Sequence, residues 1–80
     1  MSLRQLQQAF TSALGLGPDA DLSALRAGEA PQWDSLGHME LVAEIERTFG
    51  IQLSNEDILS LDSFATAVRI LSRRGITVTA

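Results

Sequence analysis

The chain has no cysteine, no lysine and no long apolar run, and each absence limits what it can be. Without cysteine it forms neither disulfides nor thiolate metal sites. No segment is apolar and long enough to cross a bilayer, and no signal-peptide pattern precedes the first helical pattern. We therefore expect a cytoplasmic protein without a membrane partner. Its 80 residues, 45% of them hydrophobic, predict a single small domain with its own core.

A basic surface is also missing from the sequence. Ten acidic residues outnumber six basic ones, all of them arginine, so that the net charge is −4. The acidic residues concentrate in the middle of the chain, whereas three arginines cluster near its C-terminal end: Arg69, Arg73 and Arg74. Because nucleic-acid-binding domains carry a basic patch or stripe, we expect no nucleic-acid partner. An acidic centre favours proteins that dock through basic surfaces.

Helical periodicity is the strongest pattern in the chain. Apolar residues recur at three- and four-residue steps over residues 3–14, and Ser2 and Gln5 have the spacing of a capping box. Residues 15–34 then form a long connection without sustained periodicity, with a short helical turn expected around residues 21–26. This connection is expected to contact the core through three leucines: Leu16, Leu22 and Leu25.

Three further helices are predicted, of which the middle one is short: from Asp34 or Ser35 to about Phe49, about residues 55–60, and from Asp62-Ser63 to Gly75. The inner face of the last one is expected to contain Phe64, Ala67, Val68 and Leu71. Residues 76–80 have no evident partner strand, so we expect a frayed tail. The sequence therefore predicts an all-α four-helix bundle over residues 1–75, with three longer helices, one short third helix and a long first loop.

The second predicted helix carries two apolar faces. At ~100° per residue, four apolar residues share one arc that suits a core-facing side: Leu41, Val42, Ile45 and Phe49. The opposite side carries a second apolar stripe framed by charges: Leu36, Met39 and Ala43 with Glu40, Glu44 and Arg47. An apolar stripe directed away from the core of a small domain indicates a docking surface. Ser35 lies at the top of this outer face, which favours a function for it.

The stretch around Ser35 resembles the attachment site of acyl and peptidyl carrier proteins. Asp34-Ser35-Leu36 matches the Asp-Ser-Leu triplet that opens the second of four helices in that family. The resemblance continues along the helix and covers roughly residues 3–74, through Glu40-Leu41-Val42, Ile45-Glu46 and Phe49-Gly50-Ile51. A lone Asp-Ser-Leu is common, so the helix, the hydrophobic spacing and the domain length carry the resemblance together.

This resemblance implies a carrier that catalyses nothing itself. Ser35 would bear a covalent 4′-phosphopantetheine arm from coenzyme A, and the arm would hold an acyl or aminoacyl group as a thioester. Asp34 would support attachment by helping the modifying enzyme to place its metal ion and the serine. The implied partners are a phosphopantetheinyl transferase, an adenylate-forming acyl or aminoacyl ligase, and downstream transferase or condensing enzymes. They would contact the outer face of the second helix, and the carrier would be a monomer.

Two other classes of function use the same residues. In a non-catalytic helical interaction module, the outer face would bind one protein partner and Ser35 would only cap a helix. A serine hydrolase would need His38 within reach of the Ser35 hydroxyl, together with an orienting group and an oxyanion site. By its angle on the helix, His38 instead points toward the edge of the core, where a satisfied polar group bordering a cargo cavity is expected. No metal site is expected, since Asp19-Ala20-Asp21 lacks the glycine and glutamate of a calcium loop.

The residues beside the triplet differ from those of the familiar subfamilies. Trp33 and Gly37 stand where fatty-acid carriers usually have a small residue and an acidic one, and the Gly-Gly-His-Ser of peptidyl carriers is absent. The sequence is more similar to stand-alone carriers of specialised pathways, which leaves acyl and aminoacyl cargo both open. Trp33 is expected to anchor the preceding loop, with contact to a partner as the alternative.

Overall fold

The computed structural model describes residues 3–79, and within that range the chain forms four α-helices and one short 3₁₀ turn. The helices are α1 (Leu3–Leu14), α2 (Ser35–Phe49), α3 (Asn55–Ser60) and α4 (Phe64–Arg73), and the turn is Leu22–Ala24. Between residues 3 and 79 the only extended pairing is a single bridge residue at Thr79. The predicted all-α bundle with a short third helix is confirmed. The capping box predicted for Ser2 and Gln5 involves a residue outside the described range.

The core forms chiefly where α1 packs against α2. The predicted inner arc of α2 is confirmed, since none of its members exceeds 6% exposure: Leu41, Val42, Ile45 and Phe49. Phe10 of α1 is fully buried and lies between two aromatic rings, with ring centroids 5.5 Å from Trp33 and 5.0 Å from Phe64. Offset and edge-on aromatic contacts of this kind add to the stabilisation that comes from burial itself.

The inner face of α4 differs from the predicted one. Its buried residues are Thr66, Ala67, Ile70 and Leu71, whereas Phe64 and Val68 are only half-buried. Thr66 is accommodated inside because its hydroxyl donates to the Asp62 carboxylate at 2.6 Å, and its N–H donates to Ser63 Oγ at 3.1 Å. A pattern that counts apolar residues misses a threonine whose polar atoms are satisfied by the helix cap.

The ends of the helices follow the predicted signals. α2 ends at Phe49 and is capped by Gly50, whose φ of 66° places it in the left-handed region that glycine adopts without strain. Ser54 and Asp57 form both hydrogen bonds of a capping box at the start of α3. The long first loop contains the predicted helical turn, and its leucines are half-buried against the core as expected: Leu16, Leu22 and Leu25.

α3 is attached to the rest of the molecule by a few side chains. None of its residues is buried, and Ile58 alone among its apolar residues packs against the core. On the other side Asp57 Oδ2 accepts a hydrogen bond from Arg74 Nη2 at 2.7 Å, which ties α3 to the end of α4. The helix is therefore held by a few specific contacts, and little apolar burial supports it.

The C-terminal segment has a partner that the sequence pattern did not reveal. Ile76 and Val78 are half-buried against the core, and the Thr79 carbonyl accepts a hydrogen bond from the Leu3 N–H at 2.6 Å. The tail therefore runs beside the start of α1, and fraying of residues 76–80 stays a prediction. Within residues 3–79, no helix combines the length and the apolar character needed to cross a membrane.

Candidate functional site

The start of α2 gives Asp34 and Ser35 different roles. Asp34 is the N-cap, since its backbone is extended (φ −88°, ψ −169°) and its Oδ1 accepts from the Gly37 N–H at 2.8 Å. Ser35 is the first helical residue and is exposed, and its hydroxyl makes no hydrogen bond to any residue of the described range. The sequence left open which of the two caps the helix. Because Asp34 does so, the hydroxyl of Ser35 is free for other chemistry.

The first turn of α2 also offers backbone donors. The N–H of His38 donates to the Asp34 carbonyl at 2.8 Å, and the N–H of Gly37 is taken up by the Asp34 carboxylate. The N–H groups of Ser35 and Leu36 have no partner within residues 3–79. Unpaired first-turn N–H groups and the positive end of the helix dipole stabilise an anion. A negatively charged group on the Ser35 oxygen would lie beside both.

Gly37 is required because α2 starts directly against the loop before it. A Cβ at this position would lie 2.3 Å from the Gln32 carbonyl oxygen and 3.2 Å from a methyl carbon of Leu14. Any side chain would therefore push the helix away from the loop. The acidic residue that fatty-acid carriers usually have here does not fit. A glycine inside a strong helical pattern is a signal of such close approach, although sequence reasoning treated Gly37 only as a departure from a motif.

Trp33 and His38 form a hydrogen-bonded pair that joins three segments. The Trp33 side chain is 1% exposed, and its Nε1–H donates to His38 Nδ1 at 2.9 Å. The other ring nitrogen of His38, Nε2, lies 2.8 Å from the Ile58 carbonyl oxygen and donates to it. The tautomer follows from these partners, since Nδ1 must accept and Nε2 must carry the proton. The chain of bonds links the first loop, α2 and α3.

These contacts decide the roles that the sequence left open for both residues. His38 is the satisfied polar group expected at the core edge, and its two ring nitrogens are fully used by Trp33 and Ile58. Neither nitrogen is available to take a proton from Ser35, so the geometry gives no support to a serine hydrolase. Trp33 is the predicted loop anchor, and its burial leaves no surface for contact with a partner.

A groove of about 780 Å³ opens beside Ser35. It is lined by residues 27–31 of the first loop, by the start of α2, and by residues 58–62. Most of its walls are apolar, and its ionisable side chains other than His38 are three exposed carboxylates: Glu29, Asp34 and Asp62. The Thr66 hydroxyl, which donates to Asp62, holds the pKa of that carboxyl below its usual range. The volume lies within the ~300–1,000 Å³ typical of small-ligand sites.

The outer face of α2 is exposed as the sequence predicted. Leu36 and Met39 are 69% and 57% exposed, and Ala43 and Glu40 also face solvent. Glu44 and Arg47 form an ion pair with each other, so part of the predicted charge frame is engaged within the helix itself. A further exposed leucine, Leu59 on α3, is 86% exposed and lines the groove. Leu59 was not singled out from the sequence.

The fold and the site together define a small all-helical protein with an exposed serine at the start of a helix, beside an open groove. The hydroxyl of this serine has no hydrogen-bond partner within residues 3–79. Among residues 3–79, no group of side chains is arranged to hold a metal ion. A family model described as "Phosphopantetheine attachment site" matches residues 4–71 of the chain. The chain therefore belongs to the phosphopantetheine-binding family of carrier proteins. Members of this family carry a covalent 4′-phosphopantetheine group and are carriers, not enzymes. No curated protein and no solved structure matches the chain significantly.

Proposed function

We propose that Ser35 is the attachment residue of the phosphopantetheine arm, and that the chain delivers an acyl or aminoacyl group to partner enzymes. The observation that supports this proposal best is that Asp34 caps α2 and Ser35 does not. Because Asp34 caps the helix, the exposed hydroxyl of Ser35 has no structural partner in the described range. A serine that only capped the helix, as in a simple interaction module, would have its hydroxyl bonded to a first-turn N–H.

The residues around Ser35 fit the group that the family carries. The phosphodiester that joins the arm to the serine is an anion, and the free N–H groups of Ser35 and Leu36 lie at the positive end of α2. The groove starts at Ser35 and provides apolar walls along which an arm can lie. When bound, the arm supplies a terminal thiol that holds the cargo as a thioester. The chain's own residues supply position and contact.

Asp34 supports attachment in two ways under this proposal. Its carboxylate fixes the first turn of α2 through Gly37 and so sets the position of Ser35. It is also exposed beside Ser35, where its charge is available to the metal ion of the modifying transferase. The two contributions are separable, because an amide at the same position keeps the cap and removes the charge.

The outer face of α2 is the proposed contact surface for partner enzymes. Leu36 and Met39 give it exposed apolar area next to Ser35, and Glu40 adds a charge that an oppositely charged partner would recognise. The further contact residues are Ala43, Glu44 and Arg47. The proposed partners are a phosphopantetheinyl transferase, an adenylate-forming ligase and downstream transferase or condensing enzymes. A monomeric carrier in the cytoplasm would meet each of them in turn, so small and transient contacts suit it.

The test is the intact mass of the protein after incubation with coenzyme A, Mg²⁺ and a broad-specificity phosphopantetheinyl transferase. We expect the wild type to gain one phosphopantetheine and Ser35→Ala to gain none. Ser72→Ala removes another exposed helical serine and is the matched control, which should be modified like the wild type. Circular dichroism should show unchanged folding of Ser35→Ala, because the Ser35 hydroxyl makes no hydrogen bond within residues 3–79. A mass gain in Ser35→Ala would show that another residue bears the arm.

A further inference from the structure

The groove beside Ser35 does not open into the core of the bundle. Its lining comes from the first loop, from Trp33 to Met39, and from residues 58–62, and includes no residue of α1 or α4. Trp33 and Leu61 form its floor, and they are 1% and 2% exposed. A group that lies in the groove therefore contacts the outer side of two core residues, Trp33 and Leu61, and reaches no residue of α1 or α4.

Hydrogen bonds join the two walls of the groove across this floor. Trp33 donates to His38 at 2.9 Å, and His38 donates to the Ile58 carbonyl of α3 at 2.8 Å. The indole of Trp33 also packs edge-on against Phe10 of α1, with ring centroids 5.5 Å apart and planes at 83°. A hydrocarbon chain that entered the core through this floor would have to break both bonds and displace an indole that is 1% exposed. The polar groups left behind would lack partners in a part-buried site.

The length of the arm limits what else the groove can cover. By ordinary bond lengths an extended phosphopantetheine spans roughly 20 Å. The molecule itself measures 31 × 27 × 19 Å. An extended arm on Ser35 is therefore about as long as the shortest dimension of the molecule, so the cargo at its end lies far from Ser35. The exposed carboxylates of Glu29 and Asp62 also line the groove, so its lining is not a continuous apolar surface.

We propose that Trp33 and His38 seal the core against the cargo and so act as specificity-determining residues. The carrier then takes short acyl or aminoacyl groups, which need no apolar shelter, and does not protect long hydrocarbon chains from water. This inference rests on the proposed function, because it takes the arm to be attached to Ser35. It predicts the size of the acyl or aminoacyl cargo, which the carrier role by itself does not specify.

The first experiment loads the full chain with butyryl- and dodecanoyl-phosphopantetheine from the matching coenzyme A thioesters, and intact mass confirms each product. The rate of thioester cleavage by hydroxylamine is then measured. We expect the two cleavage rates to agree within about twofold, because neither acyl chain enters the core. If the chain did enter the core, each buried methylene would slow cleavage by about fourfold. A dodecanoyl form that is cleaved more than tenfold more slowly, with shifted methyl signals of core residues such as Leu6 and Leu41, would overturn the inference. If wild type gains no mass, the proposed function fails and this inference with it, whereas loading followed by chain-length protection overturns the inference alone.

The second experiment opens the floor of the groove. Trp33→Leu replaces the indole with a smaller apolar side chain and so opens a path from the groove to the core. A dodecanoyl chain could then enter the core, and its thioester should become several-fold more resistant to hydroxylamine than that of the butyryl form. Phe64→Leu is the matched control, because it removes an aromatic ring that touches Phe10 without lining the groove. If Trp33→Leu does not fold, His38→Leu takes its place, since it breaks both hydrogen bonds and keeps the indole. A folded variant without chain-length protection would show that these residues are not the seal.

Discussion

At the scale of single residues, three neighbours at the start of α2 have distinct tasks. Asp34 fixes the first turn through its carboxylate, Ser35 presents an unengaged hydroxyl, and Gly37 lets the helix lie against the loop. A side chain at position 37 would collide with the Gln32 carbonyl, so the position of Ser35 relative to the groove depends on a residue that has no side chain. The precise placement of the hydroxyl is therefore a property of all three residues.

Substitution of Asp34 separates its cap role from its charge. Asp34→Ala should lower the free energy of unfolding by about 1 kcal/mol, because the Gly37 N–H loses its partner, whereas Asp34→Asn should cost a few tenths at most. Both variants should be modified more slowly by the transferase if the carboxylate charge assists attachment. Urea unfolding and the initial rate of mass gain measure the two effects. An Asp34→Asn protein modified at the wild-type rate would confine Asp34 to capping.

At the scale of elements, α3 is the helix that depends most on individual contacts. It has no buried residue, and it is held by Ile58, by the His38 bond to the Ile58 carbonyl, and by the ion pair of Asp57 with Arg74. Since α3 and the segment after it form one wall of the groove, these contacts also set the width of the groove. Asp57 contributes to this set through the charge of its carboxylate, so its contribution depends on pH.

The Asp57–Arg74 contact should make the attachment of α3 sensitive to acid. The hydrogen bond from Arg74 holds the pKa of the Asp57 carboxyl below its usual range, and the capping contacts with Ser54 act in the same direction. A carboxyl whose pKa is lowered by folding stabilises the native state fully above its unfolded pKa. That contribution is lost as the pH falls through the folded pKa. Asp57→Asn should therefore be less stable than wild type at pH 7, by less than about 1 kcal/mol for an exposed pair.

The difference in unfolding free energy between wild type and Asp57→Asn should shrink below about pH 4. Urea unfolding at pH 7, 5, 4 and 3 measures it. Glu56→Gln removes an exposed carboxylate one residue away that has no ion-pair partner within residues 3–79, so its stability difference should stay small at every pH. A constant difference for Asp57→Asn between pH 7 and pH 3 would contradict the assignment.

At the scale of the whole molecule, the residues that form the core are distinct from the large apolar side chains that face solvent. The core is formed mainly by α1, the inner arc of α2, and α4. Among residues 3–79, the large exposed apolar side chains lie at the start of α2 and on α3 beside the groove: Leu36, Met39 and Leu59. Because these side chains contribute little to folding, substituting them should change encounters with partners more than it changes stability.

Leu36→Ser tests this separation. The side chain is 69% exposed, so the free energy of unfolding should change by less than about 0.5 kcal/mol. The KM of the transferase should rise by about tenfold, which is the loss expected for a central apolar contact. Leu59→Ser is the comparison, since it removes an equally large exposed leucine from α3, and its effect on KM should be smaller. An unchanged KM for Leu36→Ser would remove this side chain from the contact surface.

The sequence alone determined the helical elements and the family. Helical periodicity and cap residues predicted the four helices, because these signals are local and each is decided within a few residues along the chain. The resemblance centred on Asp34-Ser35-Leu36 predicted the carrier family that the family match confirms. The inner arc of α2 was predictable for the same reason, since a helix fixes the angle between its own residues.

Only the tertiary structure decided how the site is built. It showed that Asp34, not Ser35, caps α2, and that the tail contacts α1. It also showed that the inner face of α4 includes Thr66 and Ile70, whereas Phe64 and Val68 are only partly buried against the core. It also brought Trp33, His38 and the Ile58 carbonyl together across the floor of the groove. His38 and Ile58 are 20 residues apart in the chain. Contacts over such separations depend on how the helices pack in three dimensions, and periodicity along one helix carries no information about its neighbours.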